Sequence, residues 1–169
     1  MTIRRNSQGQ TLVEFALVLP VFLLLLVAIF DLGHVVWAND TLANAAREAT
    51  RFAIVHGGSA STACPVGPPG GNAVIPPAST DCPYPSPSTQ AIKDAAINWA
   101  RSSGTDVTVQ VCYWAVTACT GDTNEAGATN ARGQKVTVTV TSTVALAAPS
   151  FFGLGGVSLR ATTTMLVNH

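Results

Sequence analysis

Charge is scarce in this chain. Asp, Glu, Lys and Arg make up 11% of its 169 residues, and nine basic residues balance nine acidic ones. A scattered, neutral balance lacks the basic patch that marks nucleic-acid binders, so nucleic acid is excluded as a partner. The three histidines, His34, His56 and His169, are dispersed, and no two of the four cysteines form a Cys-x-x-Cys pair. Zinc spacing is therefore absent. Gly-x-Ser-x-Gly, His-Glu-x-x-His, Walker and dinucleotide fingerprints are all missing. Gly67-Pro-Pro-Gly-Gly71 has neither a following lysine nor a strand–helix context, so it is not a phosphate loop. Asp122-Thr-Asn124-Glu125 clusters oxygen ligands, but its spacing misses the EF-hand pattern. These absences exclude the common catalytic classes: no enzyme activity, cofactor, metal or small-molecule substrate is expected.

A second long apolar run is also missing, and the first therefore dominates. Leu12 to Phe30 is nearly uninterrupted hydrocarbon, broken by Glu14 near its start and Pro20 inside. As a helix it spans roughly 28 Å, about the hydrocarbon thickness of a bilayer. Arg4 and Arg5 precede it without an acid, and Asp31 follows it directly. The positive-inside rule leaves residues 1–9 in the cytoplasm and sends residue 31 onward outward. A cleaved signal peptide is the rival. The run exceeds the ~7–15 residues of a signal's apolar region, and no small-x-small cleavage site follows. A retained, single-pass anchor in the cell membrane is expected.

Helical spacing continues past Asp31. Leu32, Val35, Val36, Leu42, Ala45, Ala46, Ala49, Phe52 and Ala53 fall on one face, and Asn39, Asp40, Asn44, Arg47, Glu48 and Arg51 on the other. Gly57-Gly58 ends the pattern, so one helix is predicted from Leu12 to Val55. Pro20 cannot donate to the Ala16 carbonyl and is predicted to kink or open it. Glu14 is costly in lipid, on the order of 2.5–3.5 kcal/mol on insertion scales. Either it snorkels to the nearby interface, or it has a partner. Cleavage after Gly9 would supply one: Gln10 would carry a free ammonium, in the same helix or in a neighbouring subunit, opposite the carboxylate of Glu14.

Gly9-Gln10-Thr11-Leu12-Val13-Glu14-Phe15 resembles the processing site of prepilins. The stretch from Arg5 to Gly57 is similar to the TadE-like family of pilus-assembly pseudopilins of the tight-adherence (Flp) type IV pilus system. The matching pieces are the Gly-Gln-x-Leu-Val-Glu-Phe-Ala-Leu-Val-Leu-Pro core, the Leu-rich tract, Asp31-Leu-Gly33, and Ala46-Arg-Glu-Ala-x-Arg51. The resemblance covers about a third of the chain; beyond it only the general style of Thr/Val strands agrees. Some members of that family are cut by a membrane prepilin peptidase, which marks the bond between Gly9 and Gln10 as the candidate processing site; Glu14, Phe15 and Pro20 are the candidate register or assembly residues of the helix. The partners the resemblance implies are the lipid bilayer, a membrane prepilin peptidase, the major pilin, other minor pseudopilins and the pilus membrane platform.

All four cysteines, Cys64, Cys82, Cys112 and Cys119, lie on the exported side, where disulfides persist. Of the three possible connectivities, neighbour pairing is expected: Cys64–Cys82 across the Pro/Gly-rich loop and Cys112–Cys119 at a hairpin end. Chain-entropy reasoning assigns these about 3 and about 2.5 kcal/mol. Ser88 to Arg101 reads as a short helix, with Ala91, Ile92, Ala95, Ala96, Trp99 and Ala100 on its apolar face and Gly104 beyond its end. Alternation predicts a strand over Asp106–Val116, with Val107, Val109, Val111 and Tyr113 on one face, and another over Gln134–Val144, Val inward and Thr outward; Val157–Val167 gives a third. The connection Ala148–Val157 is unusual because Phe151, Phe152 and Leu154 are apolar; it either tucks into the core or touches a membrane or a partner.

The fold class expected is α+β and pilin-like. A long N-terminal transmembrane helix continues into an extracytoplasmic amphipathic helix, packed with a short helix on a three-stranded antiparallel sheet. The divisions are a basic leader (1–9), the membrane helix (10–31), its extension (32–57), a Pro/Gly-rich loop (58–87) and a small head (88–169). The function expected is that of a membrane-anchored structural subunit or assembly factor of a tight-adherence type pilus. A signal-anchored binding module unrelated to pili, an adhesin or envelope sensor, is the alternative.

Overall fold

The computed structural model describes residues 7–58, 66–68, 88–101, 106–119, 121–151, 153 and 155–168. Its elements are α1 (Ser7–Val55), α2 (Gln90–Ala100), β1 (Val107–Trp114), β2 (Lys135–Val144), α3 (Ala147–Phe151) and β3 (Val157–Leu166). This is the α+β arrangement expected, with one addition: α3 stands where the sequence suggested only a turn.

Helix α1 holds 49 residues and is about 74 Å long. It begins at Ser7, ahead of the expected Leu12, and runs through Pro20 without ending. A membrane helix tolerates proline because the freed carbonyl can be re-satisfied locally. The last turn closes on His56, whose N–H donates to the Phe52 carbonyl at 3.2 Å while its ring stacks on Phe52 at 4.1 Å. Gly57 and Gly58 follow outside the helix.

Two halves of α1 meet different surroundings. From Leu12 to Val36 the side chains are mostly exposed, whereas Ala38, Leu42, Ala45, Ala46, Ala49 and Ala53 are fully buried. The alanine stripe presents almost no side-chain bulk, so the helix approaches the sheet closely. Across from it lie Val136, Val138 and Val140 of β2 and Val109, Val111 and Tyr113 of β1, with Ile92, Ala96 and Ala100 of α2 beside them. Each fully buried Val or Leu contributes about 1.5–3 kcal/mol.

The sheet is a meander in the order β1-β2-β3, antiparallel throughout, pairing Val107 with Ser142 and Lys135 with Leu166 at its ends. Its period of two puts valines of β2 under the helices and threonines on the far face. There Thr137 and Thr164 share a hydrogen bond at 2.8 Å, and Thr139 and Thr162 one at 3.1 Å. The indole N–H of Trp114 donates to Thr137 at 2.9 Å, and Lys135 sits 4.1 Å above its ring.

Helix α2 corrects the expected face. Ile92, Ala96 and Ala100 form its buried line, while Trp99 is 58% exposed. Trp99 shares a row with half-buried Ala91 and Ala95, and that row flanks the contact. The N-cap position is Thr89, which makes no side-chain cap hydrogen bond; Ser88, one residue earlier than the cap, accepts the Gln90 N–H at 3.1 Å. Gly104 lies outside the described residues.

The head stands alongside α1 over a defined height. Asn168, just beyond β3, donates its N–H to the Ile54 carbonyl at 3.4 Å. At the other end, the Ala147 and Ala148 N–H groups donate to Asp31 at 3.0 and 2.7 Å. From Asp31 to Ile54, α1 rises about 35 Å; a strand from Val157 to Asn168 rises about 36 Å. The match means β3 runs beside the helix for its full length, starting near Asp31. A short part of the proline-rich loop is pinned at the far end. Asn130 donates to the Val66 carbonyl at 2.9 Å and accepts the Gly58 N–H at 2.8 Å. Gly67 (φ +109) packs so tightly there that a Cβ would lie 2.8 Å from the ring of Tyr113.

Candidate functional site

The candidate site is the exposed length of α1. Leu12, Phe15, Leu17, Val18, Val21, Phe22, Leu25 and Phe30 are all more than half exposed. Among the described residues α1 is the one helix long and apolar enough to cross a membrane, and its most apolar window has no residue buried within the chain. So large a contiguous apolar surface is disfavoured in water, and α1 is compatible with a membrane anchor.

Gly9 and Gln10 lie inside α1, near its start. Nothing lies within 4 Å of the place a Gly9 Cβ would occupy. Four residues on, Glu14 accepts a hydrogen bond from the Gln10 carboxamide at 3.1 Å, and both side chains are exposed. Phe15 is 64% exposed on the next face, and Pro20 lies further along the same helix.

Asp31 closes the apolar run, and its role was not legible beforehand. Both carboxylate oxygens are engaged by the first two N–H groups of α3. Helix starts leave such donors unpaired, and an anionic acceptor there is doubly favourable. Sequence separation of more than a hundred residues hid this contact.

The polar side of α1 beyond Asp31 forms an open groove of about 510 Å³ with Asn44, Arg47, Glu48, Arg51, Trp99 and Met165 along it. Glu48 and Arg51 pair loosely at 3.9 Å. His34 stacks on Trp37 at 6.2 Å.

Asp122, Asn124 and Glu125, the oxygen cluster noted above, all turn toward the outer edge of β1. Asp122 accepts the Val111 N–H at 2.9 Å, and Asn124 accepts that of Tyr113 at 2.8 Å. Glu125 accepts the N–H groups of Ala115, Val116 and Thr117 at 2.5, 3.1 and 2.9 Å. The backbone N–H groups of Ala115, then Thr117 and Val116, hold the Glu125 carboxyl below the usual carboxylate range. Asp122 also pairs with Lys93 at 2.5 Å. The cluster is a structural cap, and among the described residues no group of His, Cys, Asp and Glu is arranged to hold a metal ion.

Of the cysteine pairs, Cys112–Cys119 is formed, with Cα atoms 6.3 Å apart. Cys64 and Cys82 lie outside the described residues.

A family model described as TadE-like protein matches residues 9–51, the stretch that carries the N-terminal motif and most of α1. No curated protein and no solved structure gives a significant match.

Proposed function

We propose that this protein is a membrane-anchored structural component of a tight-adherence type pilus, a minor pseudopilin or assembly factor acting through helix packing. The TadE-like match over residues 9–51 supports a role in that system, and the family is a structural one. The observation that carries the reading is the coincidence of that match with the exposed apolar length of α1.

The mechanism is mechanical. Residues 1–9 face the cytoplasm and the head lies outside the membrane. A prepilin peptidase hydrolyses the Gly9–Gln10 bond: water adds, Gly9 leaves as a carboxylate, and Gln10 keeps an ammonium. That ammonium sits on the residue whose side chain already reaches Glu14 at 3.1 Å. In low dielectric the ion pair forms within one helix or, after small axial movement, between neighbours. A buried polar pair penalises slippage between helices, its best-attested use. The partners are the bilayer, the peptidase, the major pilin, other pseudopilins and the membrane platform.

Two measurements test this. Intact mass and N-terminal sequencing of the membrane and sheared-filament fractions should show a chain starting at Gln10; a start at Met1 removes processing from the scheme. Glu14→Ala should insert at least as well as the parent yet lose piliation, and normal piliation would sink the register role.

A further inference from the structure

We propose that α3 forms a second membrane contact, lying in the headgroup layer at a depth set by Asp31. The inference rests on α1 standing in a bilayer. It extends that reading from the anchor to the head, and its occupant is lipid.

Height comes first. The N–H groups of Ala147 and Ala148 end on the Asp31 carboxylate at 3.0 and 2.7 Å, so α3 begins level with residue 31 of α1. The apolar exposed surface of α1 does not stop there. Leu32, Val36 and Trp37 are 66%, 60% and 49% exposed, and Trp37 stands about 9 Å further along the helix. Tryptophan on a membrane helix settles at the headgroup level. A segment tied to residue 31 therefore lies at or beneath that level, not in bulk water.

Composition agrees independently. No ionisable residue occurs between Lys135 and Arg160, so no charge in the β2–β3 turn opposes contact with lipid. Within that turn Ala145, Ala147 and Val157 are exposed, Val157 by 41%. The residue that ends α3 is Phe151. The two backbone donors that open α3 take their acceptors from the protein itself, one from each oxygen of Asp31. Continuity with the apolar surface of α1 identifies lipid as the cover, and two contacts fix tilt and rotation of the head where a single helix would leave both free.

The test uses the full chain in phosphatidylcholine vesicles with bromine near the headgroup end or deep in the acyl chains. Flotation first establishes that α1 is inserted; a protein that stays with the aqueous fraction overturns both the anchor and this inference. In floated protein, the added emission of Phe151→Trp over the parent should be quenched by shallow bromine and shielded from aqueous iodide. Val116→Trp, at a site 85% exposed beyond the opposite end of β1, should show the reverse. Adding Asp31→Ala to Phe151→Trp should abolish the lipid quenching while flotation persists. Three results overturn the proposal with the anchor intact: iodide quenching like that at position 116, shielding from both quenchers (a protein partner or the core), or lipid quenching unchanged by Asp31→Ala.

Discussion

The carboxylate of Asp122 accepts the N–H of Val111 at 2.9 Å on the side of β1 turned away from β2. A side chain thus stands where a fourth strand would pair. Asn124 repeats the arrangement at Tyr113 and Glu125 at Ala115, and Glu125 returns its own N–H to the Tyr113 carbonyl at 2.9 Å. Unpaired strand edges invite association with other chains, and a loop of capping side chains blunts this one.

Glu125 should make the head acid-sensitive. Its folded-state pKa lies below the ordinary carboxylate value because backbone N–H groups stabilise the charged form, that of Ala115 first. The sign follows: the stabilisation is complete above the unfolded pKa and is lost as pH falls through the lower, folded one. Thermal melts of Glu125→Gln should start lower at neutral pH and decline less than the parent on acidification below the usual carboxylate range. Parallel curves for the two proteins would contradict this.

The Cys112–Cys119 bridge should matter modestly. It closes a short loop, so Cys112→Ser/Cys119→Ser should lose about 2.5 kcal/mol, read from denaturant midpoints of the detergent-solubilised chain. The double variant confines the change to this bridge.

Gly156 should resist substitution. A Cβ there would collide with the carbonyl oxygen of Val144, the last residue of β2, and backbone cannot move aside as a flexible side chain can. Gly156→Ala should destabilise by about 1–3 kcal/mol, the usual cost of forced overpacking. Gly33→Ala meets nothing within 4 Å and should be neutral or stabilising by up to about 1 kcal/mol in the same melts.

Leu42 and Trp99 should separate core from surface. Leu42 is fully buried under the sheet, so Leu42→Ala should cost about 2–5 kcal/mol. Trp99 is the larger side chain but is 58% exposed, and Trp99→Ala should shift the melting midpoint far less.

Sequence patterns of short range carried much of this fold. The apolar run, its acid and its proline dictate a membrane-length helix because lipid demands internal hydrogen bonding, and Gly57-Gly58 marks where it stops. The alternation of Val and Thr through β2 places each side chain on its face, since a strand's period of two leaves no choice. The motifs between Arg5 and Gly57 carried the family likeness. What pattern could not supply were the long-range polar contacts. Asp31 reaching Ala147 and Ala148, and the oxygens of Asp122, Asn124 and Glu125 reaching β1, depend on chain segments brought together only by folding. Periodicity records which way a side chain points, not which backbone donor will arrive opposite it. The same reason placed Trp99 wrongly: spacing put it on the apolar side of α2, and the width of the actual contact left it outside.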